Sequence, residues 1–374
     1  MRVVFIFVSI LIFAINSFAG ETQIYRKALE NLAKEKKYYI ETYPESKIKK
    51  LEKNNYSKIK YSKRIKSILK GINDAEKILY RKLRNTRKNK SLENSIVVFL
   101  DPGHGGIDKG ANFKSDIVVG GNKKELTEKE INFAISKMIK RKLERKGYIV
   151  ILSRDTVNEG PSLYARSALC RAIEPDIAVS IHLNSSEYAI PLMNRVETAM
   201  PEMNFTKVFV WLPSKIDLFI PFYYTNVKKM ETNGTRKKSI YLADSIAKEL
   251  KSYLNLDYDI SEEERLRLVK VIELRESIYP TKKEVIHLEK YPPVLLEKYT
   301  EISTEYENDI KDYPGIAGKD LHMVREIPAV PSVLVESVFL SCPYEQYKLV
   351  FKKRKNKIAD AVAHGIENYF KEKK

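Results

Sequence analysis

Two hydrophobic periods divide the chain. Before residue 95 the apolar side chains recur at helical spacing, as at Tyr61, Ile65, Ile68, Ile72, Ala75, Leu79 and Leu83, with Lys and Arg between them. The run Arg84-Asn85-Thr86-Arg87-Lys88-Asn89-Lys90 has no period and reads as a linker. Residues 20–94 are therefore expected to form a helical region and linker ahead of a domain at 95–374. From Ser95 short β-branched runs alternate with longer amphipathic segments. The strands expected are Ile96 to Leu100, Tyr148 to Leu152, Ile177 to Ile181, Lys207 to Leu212 and Val333 to Val338. The helices expected are Glu128 to Lys146, Ser162 to Glu174, Ser239 to Leu254 and Tyr344 to Lys371. This alternation predicts an α/β domain, a largely parallel or mixed sheet with helices on both faces. A stretch rich in Glu, Lys and Tyr, at about 255–314, interrupts it as an insertion in which Ser261 to Tyr279 reads as helical.

The extreme N-terminus has a third pattern. A basic Arg2, the apolar run Val3 to Ile15 and Ser17-Phe18-Ala19 before Gly20 have the layout of a signal peptide covering residues 1–19, with cleavage after Ala19. A membrane anchor needs about 20 apolar residues, and this run is shorter. The expectation is export to a periplasm or cell envelope, with peripheral contact to the envelope. The charge follows the same division. Residues 20–95 carry 22 Lys or Arg against 9 Asp or Glu, so +13 of the formal +18 sits there. That surplus either meets an anionic partner or is a solvated face reflecting a Lys- and Asn-rich composition. The two cysteines, Cys170 and Cys342, are too few for a disulfide framework and are read as core residues, although two thiols in an exported chain can pair.

Four segments carry chemistry. In Asp101-Pro102-Gly103-His104-Gly105-Gly106-Ile107-Asp108 an apolar strand runs into a glycine-flanked imidazole, which suits a metal ligand at a strand's carboxyl end. Asp176-Ile177-Ala178-Val179-Ser180-Ile181-His182-Leu183-Asn184 repeats that layout. Ligands of open α/β sheets gather outside the carboxyl ends of strands, so the two imidazoles can converge. A catalytic zinc takes three protein ligands, and the third candidate is Glu128 at a helix start, with Glu125 as its alternative. A capping box of Thr127 and Glu130 would give Glu128 a purely structural role. The fourth segment, Pro331 to Leu340, places Glu336 in an otherwise apolar strand. A buried carboxylate needs a partner or a raised pKa, and a raised pKa suits a general base.

These segments, in this order, resemble the zinc-dependent N-acetylmuramoyl-L-alanine amidases of the Amidase_3 type, across roughly residues 96 to 368. The resemblance implies cleavage of peptidoglycan between the lactyl group of N-acetylmuramic acid and the L-alanine of the stem peptide. It implies zinc ligands at His104, Glu128 and His182 and a general base at Glu336, while another divalent metal stays open on donor type alone. Asn184 and Arg325 are implied as substrate-positioning or supporting residues, and Gly147 to Asp155 and Leu163 to Arg166 as supporting segments. The chain departs from the family at Cys170-Arg171, Val338 and Cys342, and by the seventeen residues Ala111 to Thr127 where a shorter link is expected. The insertion suggests a helix covering the site until an activator protein displaces it, as in some family members. Two rivals follow from the residues alone: a non-catalytic peptidoglycan-binding protein on this fold, opposed by the presence of all four chemical residues, and a nucleic-acid binder through the basic, Tyr-bearing N-terminal region, opposed by export, so that no nucleic acid is expected as a partner.

Overall fold

The computed structural model describes residues 20–52, 56–86, 95–119, 122–185, 189–192, 195–198, 203–213, 221–263, 265–266 and 304–372. The expected signal peptide, and all of the expected helix Ser261 to Tyr279 beyond residue 266, lie outside them. Three helices come first: α1 (Glu21–Thr42), α2 (Glu45–Glu52) and α3 (Tyr56–Asn85). Then follow β1 (Val97–Pro102), β2 (Asn112–Val119), β3 (Asn122–Thr127), α4 (Glu128–Glu144), β4 (Ile149–Leu152), α5 (Leu163–Ile173) and β5 (Ile177–Asn184). After these come β6 (Ala189–Leu192), β7 (Arg195–Thr198), β8 (Lys207–Trp211), α6 (Pro221–Thr232) and α7 (Thr235–Leu254). The chain closes with β9 (Ile316–Lys319), α8 (His322–Arg325), β10 (Ser332–Phe339), α9 (Pro343–Val350) and α10 (Lys352–Lys371). Among the described residues no helix is long and apolar enough to cross a membrane.

The central sheet has six strands in the order β4-β1-β5-β10-β8-β9. It is mixed: β10 runs parallel to β5 and antiparallel to β8, and β8 runs parallel to β9. Nearly every residue of β1, β5 and β10 is buried, as in a sheet covered on both faces. The register sets Glu336 of β10 opposite His182 of β5 on one side and Lys207 of β8 on the other. Neighbouring residues across a ladder share a face, so this alignment places Glu336 and His182 side by side.

The chain divides into two compact units. In the smaller (Met1–Phe99, Leu143–Ser153 and Pro161–Ile177), α1 and α3 lie against each other and against α5. The apolar face of α3 buries Ile65, Ile68, Ile72, Ala75 and Leu79, matching the period seen in the sequence, and α1 buries Tyr25, Ala28 and Leu32. A mid-helix glycine costs about 1 kcal/mol in helix propensity, and Gly71 has a steric reason to be there: a Cβ on it would stand 2.6 Å from the backbone of Tyr164. Polar ties accompany the packing. Arg171 pairs with Glu35 at 2.6 Å, and the Asn31 amide donates to the Ala172 carbonyl at 2.9 Å.

The larger unit (Leu100–Lys142, Arg154–Gly160 and Ala178–Lys374) holds the chemical residues. Its helices α7 and α10 approach closely enough that a Cβ on Gly365 would meet the Ile246 backbone at 2.6 Å. Residues 304–310, at the end of the expected insertion, are helical, and Tyr306 is buried in a cluster with Trp211, Val227, Met230, Val324 and Leu334. The Arg236 guanidinium lies 3.5 Å from the centroid of that ring and pairs with Glu305 at 3.1 Å. This end of the insertion is part of the core.

Two expectations are corrected, and the reading of the cysteines as core residues holds. The stretch Ala111 to Thr127 is the hairpin β2–β3, with an irregularity between Lys114 and Val118, rather than a loop. The expected helix Tyr344 to Lys371 is two helices broken at Phe351, whose backbone is extended (ψ 143°). Glu345 and Arg354 are nine residues apart, which puts them about half a turn out of phase on a continuous helix, so the bidentate bond they make (2.6 and 2.8 Å) requires the break. Cys170 and Cys342 are both free and buried, as core residues.

Candidate active site

His104, Glu128 and His182 converge, their ligating atoms lying within 4.8 Å of one another. His104 follows β1 in a left-handed backbone conformation (φ 59°), one that His adopts more readily than most residues. Its Nδ1 meets Asp108 Oδ2 at 2.9 Å, and its Nε2 faces Glu128 Oε2 at 3.1 Å. Asp108 thereby fixes the ring's tautomer and leaves Nε2 toward the cluster, the usual arrangement behind a metal-bound histidine. His182, near the carboxyl end of β5, presents Nδ1 to Glu128 Oε1 at 3.0 Å.

Glu128 opens α4 and is buried. Its Oε2 accepts from the Ala111 N–H at 2.9 Å, and its Oε1 accepts from the Leu183 N–H and the Asn132 amide, both at 3.1 Å. Burial disfavours the charged form, but the two histidines outweigh it and hold this carboxyl well below the usual range. The capping box that competes with a ligand role does not form among the described residues: Thr127 ends β3, and its buried Oγ1 has no hydrogen-bond partner there. Glu125, the alternative ligand, pairs instead with Lys109 at 2.7 Å. Burial lowers the His104 pKa, yet Glu128 and Asp108 together raise it to about 9.

Close approach explains the glycines. A Cβ on Gly103 would lie 2.3 Å from His182 Cε1, and one on Gly110 (φ +63°) would lie 2.5 Å from Glu128 Oε2. Beneath them Arg154, fully buried, donates to the carbonyls of Pro102, Gly103, Thr156 and Lys129 at 2.7–3.2 Å. One guanidinium thus ties the loop bearing His104 to the first turn of the helix bearing Glu128. Lys129 adds a second tie by donating to Gly106 O at 2.6 Å.

Glu336 lies beside this cluster. Its Oε2 is buried and has no hydrogen-bond partner among the described residues. Burial is the main cause that pushes its pKa up to about 7; His182 pulls it down and Glu128 pushes it further up. Two imidazoles and one carboxylate form the kind of donor set that holds a divalent cation, with a second carboxylate beside them.

The profile of Amidase_3, described as N-acetylmuramoyl-L-alanine amidase, matches residues 98–368. The chain belongs to the Amidase_3 family. It is thereby an N-acetylmuramoyl-L-alanine amidase, a peptidoglycan hydrolase. A Buchnera aphidicola protein provisionally named an N-acetylmuramoyl-L-alanine amidase is 25% identical over 280 residues, 75% of this chain and 96% of that protein. The amidase AmiC of Neisseria meningitidis is 26% identical over 280 residues, 73% of this chain and 52% of that protein, so this chain spans about half of it. The amidase structure from Clostridium difficile 630 is 21% identical, with a TM-score of 0.45 over 75% of this chain and 100% of that one.

The other residues implied by the resemblance to Amidase_3 lie elsewhere in the hydrogen-bond network. Arg325 pairs with Asp320 at 2.7 Å and Glu326 at 2.9 Å, and the same Asp320 accepts from the Trp211 indole at 3.1 Å. Asn184 Oδ1 accepts from the Ser185 N–H at 2.9 Å, and its backbone carbonyl accepts from the Leu340 N–H, so it closes the ends of β5 and β10. Asp108 and Asn132 were given no role by sequence reasoning. The signal for Asn132 was its position one helical turn beyond Glu128, and that for Asp108 its place four residues after His104.

Proposed function

We propose that His104, Glu128 and His182 hold a zinc ion and that Glu336 is the general base for cleavage of the lactyl–L-alanine amide. The observation that carries this reading is the buried, unpartnered Oε2 of Glu336 next to the His-Glu-His cluster. When bound, a divalent cation supplies Lewis-acid polarisation and an acidified water. Glu336 takes the proton of the attacking water at Oε2 and returns it to the departing L-alanine amine, which a carboxyl poised near neutrality does well. Asp108 and Asn132 hold His104 and Glu128 in the orientation needed, and Arg154 keeps their two segments in register. Arg325 and Asn184 act at one remove, by ordering the segments before and after β10.

Purified peptidoglycan incubated with the protein should release peptides with a free N-terminal alanine. Chelator should abolish release and zinc should restore it, and Glu336→Gln should lower it by roughly two to four orders of magnitude, the span general-base catalysis supplies. Full activity in Glu336→Gln, or in chelator, would overturn the reading.

Export follows from the same reading, since peptidoglycan lies outside the cytoplasm. Residues 1–19 serve as the signal peptide, and the mature chain found in a periplasm or cell envelope should begin at Gly20. An activator protein acting on the inserted segment belongs to the proposal too. Deleting residues 267–303 should then raise basal release, and unchanged release would remove the activator from the account.

A further inference from the structure

A second concave site, lined by none of the active-site residues, lies between α9, the start of α10 and the end of α7. It encloses about 760 Å³ and is lined by Tyr344, Tyr347, Lys348, Phe351, Lys353 and Lys357 among others. Amphipathic helices of a soluble protein turn their aromatics inward, but here three are outward: Tyr344 is 66% exposed, Tyr347 55% and Phe351 50%. The rings are organised. Tyr347 and Phe351 meet edge to face with centroids 5.2 Å apart, and the Lys348 ammonium stands 3.7 Å from the Tyr344 centroid.

The floor is rigid and the rim is cationic. Glu345 is wholly buried and grips Arg354 bidentately, with Lys348 at 3.3 Å and the Asn204 amide at 3.1 Å completing its shell. One carboxylate therefore answers two cations. Lys353 and Lys357 are exposed and have no ion pair among the described residues. A groove with aromatic faces and surplus positive charge suits a ligand with apolar ring faces and regularly spaced carboxylates.

The family's reaction makes such a ligand. Water adds across the lactyl amide; the C–N bond breaks, the amine leaves with the stem peptide, and the glycan keeps a new carboxylate. Each cleavage turns a neutral amide on the glycan into a carboxylate and removes the peptide that covered the sugar. We propose that this groove binds the peptide-free glycan strand, the product of the amidase reaction, stacking sugar faces on Tyr347 and Phe351 and pairing lactyl carboxylates with Lys353 and Lys357. The proposal rests on the amidase reading for the identity of the product. Holding that product would keep the enzyme on a strand with further stems to remove.

The test uses the full chain carrying Glu336→Gln, so that hydrolysis does not enter, and purified peptide-free glycan as the probe. The expected result is binding that falls steeply with salt and weakens at least about tenfold in Lys353→Gln/Lys357→Gln and in Tyr347→Ala/Phe351→Ala. Thermal unfolding midpoints close to the parent's would show that the variants are folded; the exposed lysine pair provides this control should the aromatic pair unfold. Undiminished binding in the lysine variant overturns the proposal, as does equal binding of neutral chitin oligosaccharides, or stronger binding of released stem peptides or anionic lipid vesicles. Failure of the amidase reading is seen separately, as absence of stem-peptide release by the unsubstituted chain with zinc.

Discussion

Replacing Glu336 with Gln should make the metal-free protein more stable at alkaline pH while it removes activity. The usual carboxyl value of 4.5 is raised to about 7 by burial of a group whose Oε2 has no hydrogen-bond partner among the described residues. A folded-state pKa above the unfolded one means the folded state holds its proton longer. The resulting stability is fully present below about pH 4.5 and is lost as pH rises through about 7. A rise of this size corresponds to roughly 3 kcal/mol at about 1.4 kcal/mol per pH unit. Glutamine has nearly the same shape and no charge, so the variant escapes that loss.

Urea unfolding with chelator, for parent and variant at about pH 5 and about pH 8.5, measures the effect as a difference of differences. The titrations of His104 and Glu128 are largely common to both proteins and cancel to first order. The variant's advantage should be small at the lower pH and grow by roughly 2–3 kcal/mol at the higher. Zinc should shrink it, because a nearby cation favours the carboxylate. A pH-independent difference would refute the argument that Glu336 is held in a desolvated position poised for proton transfer.

Other expectations follow from single contacts. Asp108→Ala removes the bond orienting His104 and should weaken zinc affinity about 10–100-fold by competition with a chelating dye, with little change in fold. Gly103→Ala puts a Cβ 2.3 Å from His182 Cε1, so stem-peptide release should fall by about 100-fold or more even where circular dichroism is unchanged. Gly71→Ala should destabilise by about 1–3 kcal/mol in urea, the clash with the Tyr164 backbone outweighing the gain in helix propensity. Glu345→Ala leaves Arg354 buried without its carboxylate and should cost about 3–5 kcal/mol, measured the same way.

What the sequence made legible was whatever burial or covalent neighbourhood dictates. Strands β1, β5 and β10 are apolar almost throughout, so their runs stood out within a residue or three of their ends, and the two histidines and Glu336 stood out as polar residues at the ends or middle of such runs. The hairpin β2–β3 did not, because Asn122-Lys123-Lys124-Glu125 has no apolar alternation to read. Strand β9 is four residues with a glycine, held as an edge by β8. The break at Phe351 also has no local signal: it serves the contact between Glu345 and Arg354, which exists only once the chain has folded.

Glu128 shows the same limit within the site itself. In the sequence it follows a threonine of the helix-capping type, and a capping role competes on equal terms with a ligand role. What favours the ligand reading comes from far along the chain: an N–H from Ala111, another from Leu183, and imidazoles from the ends of β1 and β5. A carboxylate so thoroughly satisfied by donors is held in one orientation and kept ionised. Glu336, with the same side chain, has a buried Oε2 that meets no donor among the described residues, and burial raises its pKa to about 7. The two glutamates differ only in surroundings, and that difference separates a residue that can hold a cation from one that can move a proton.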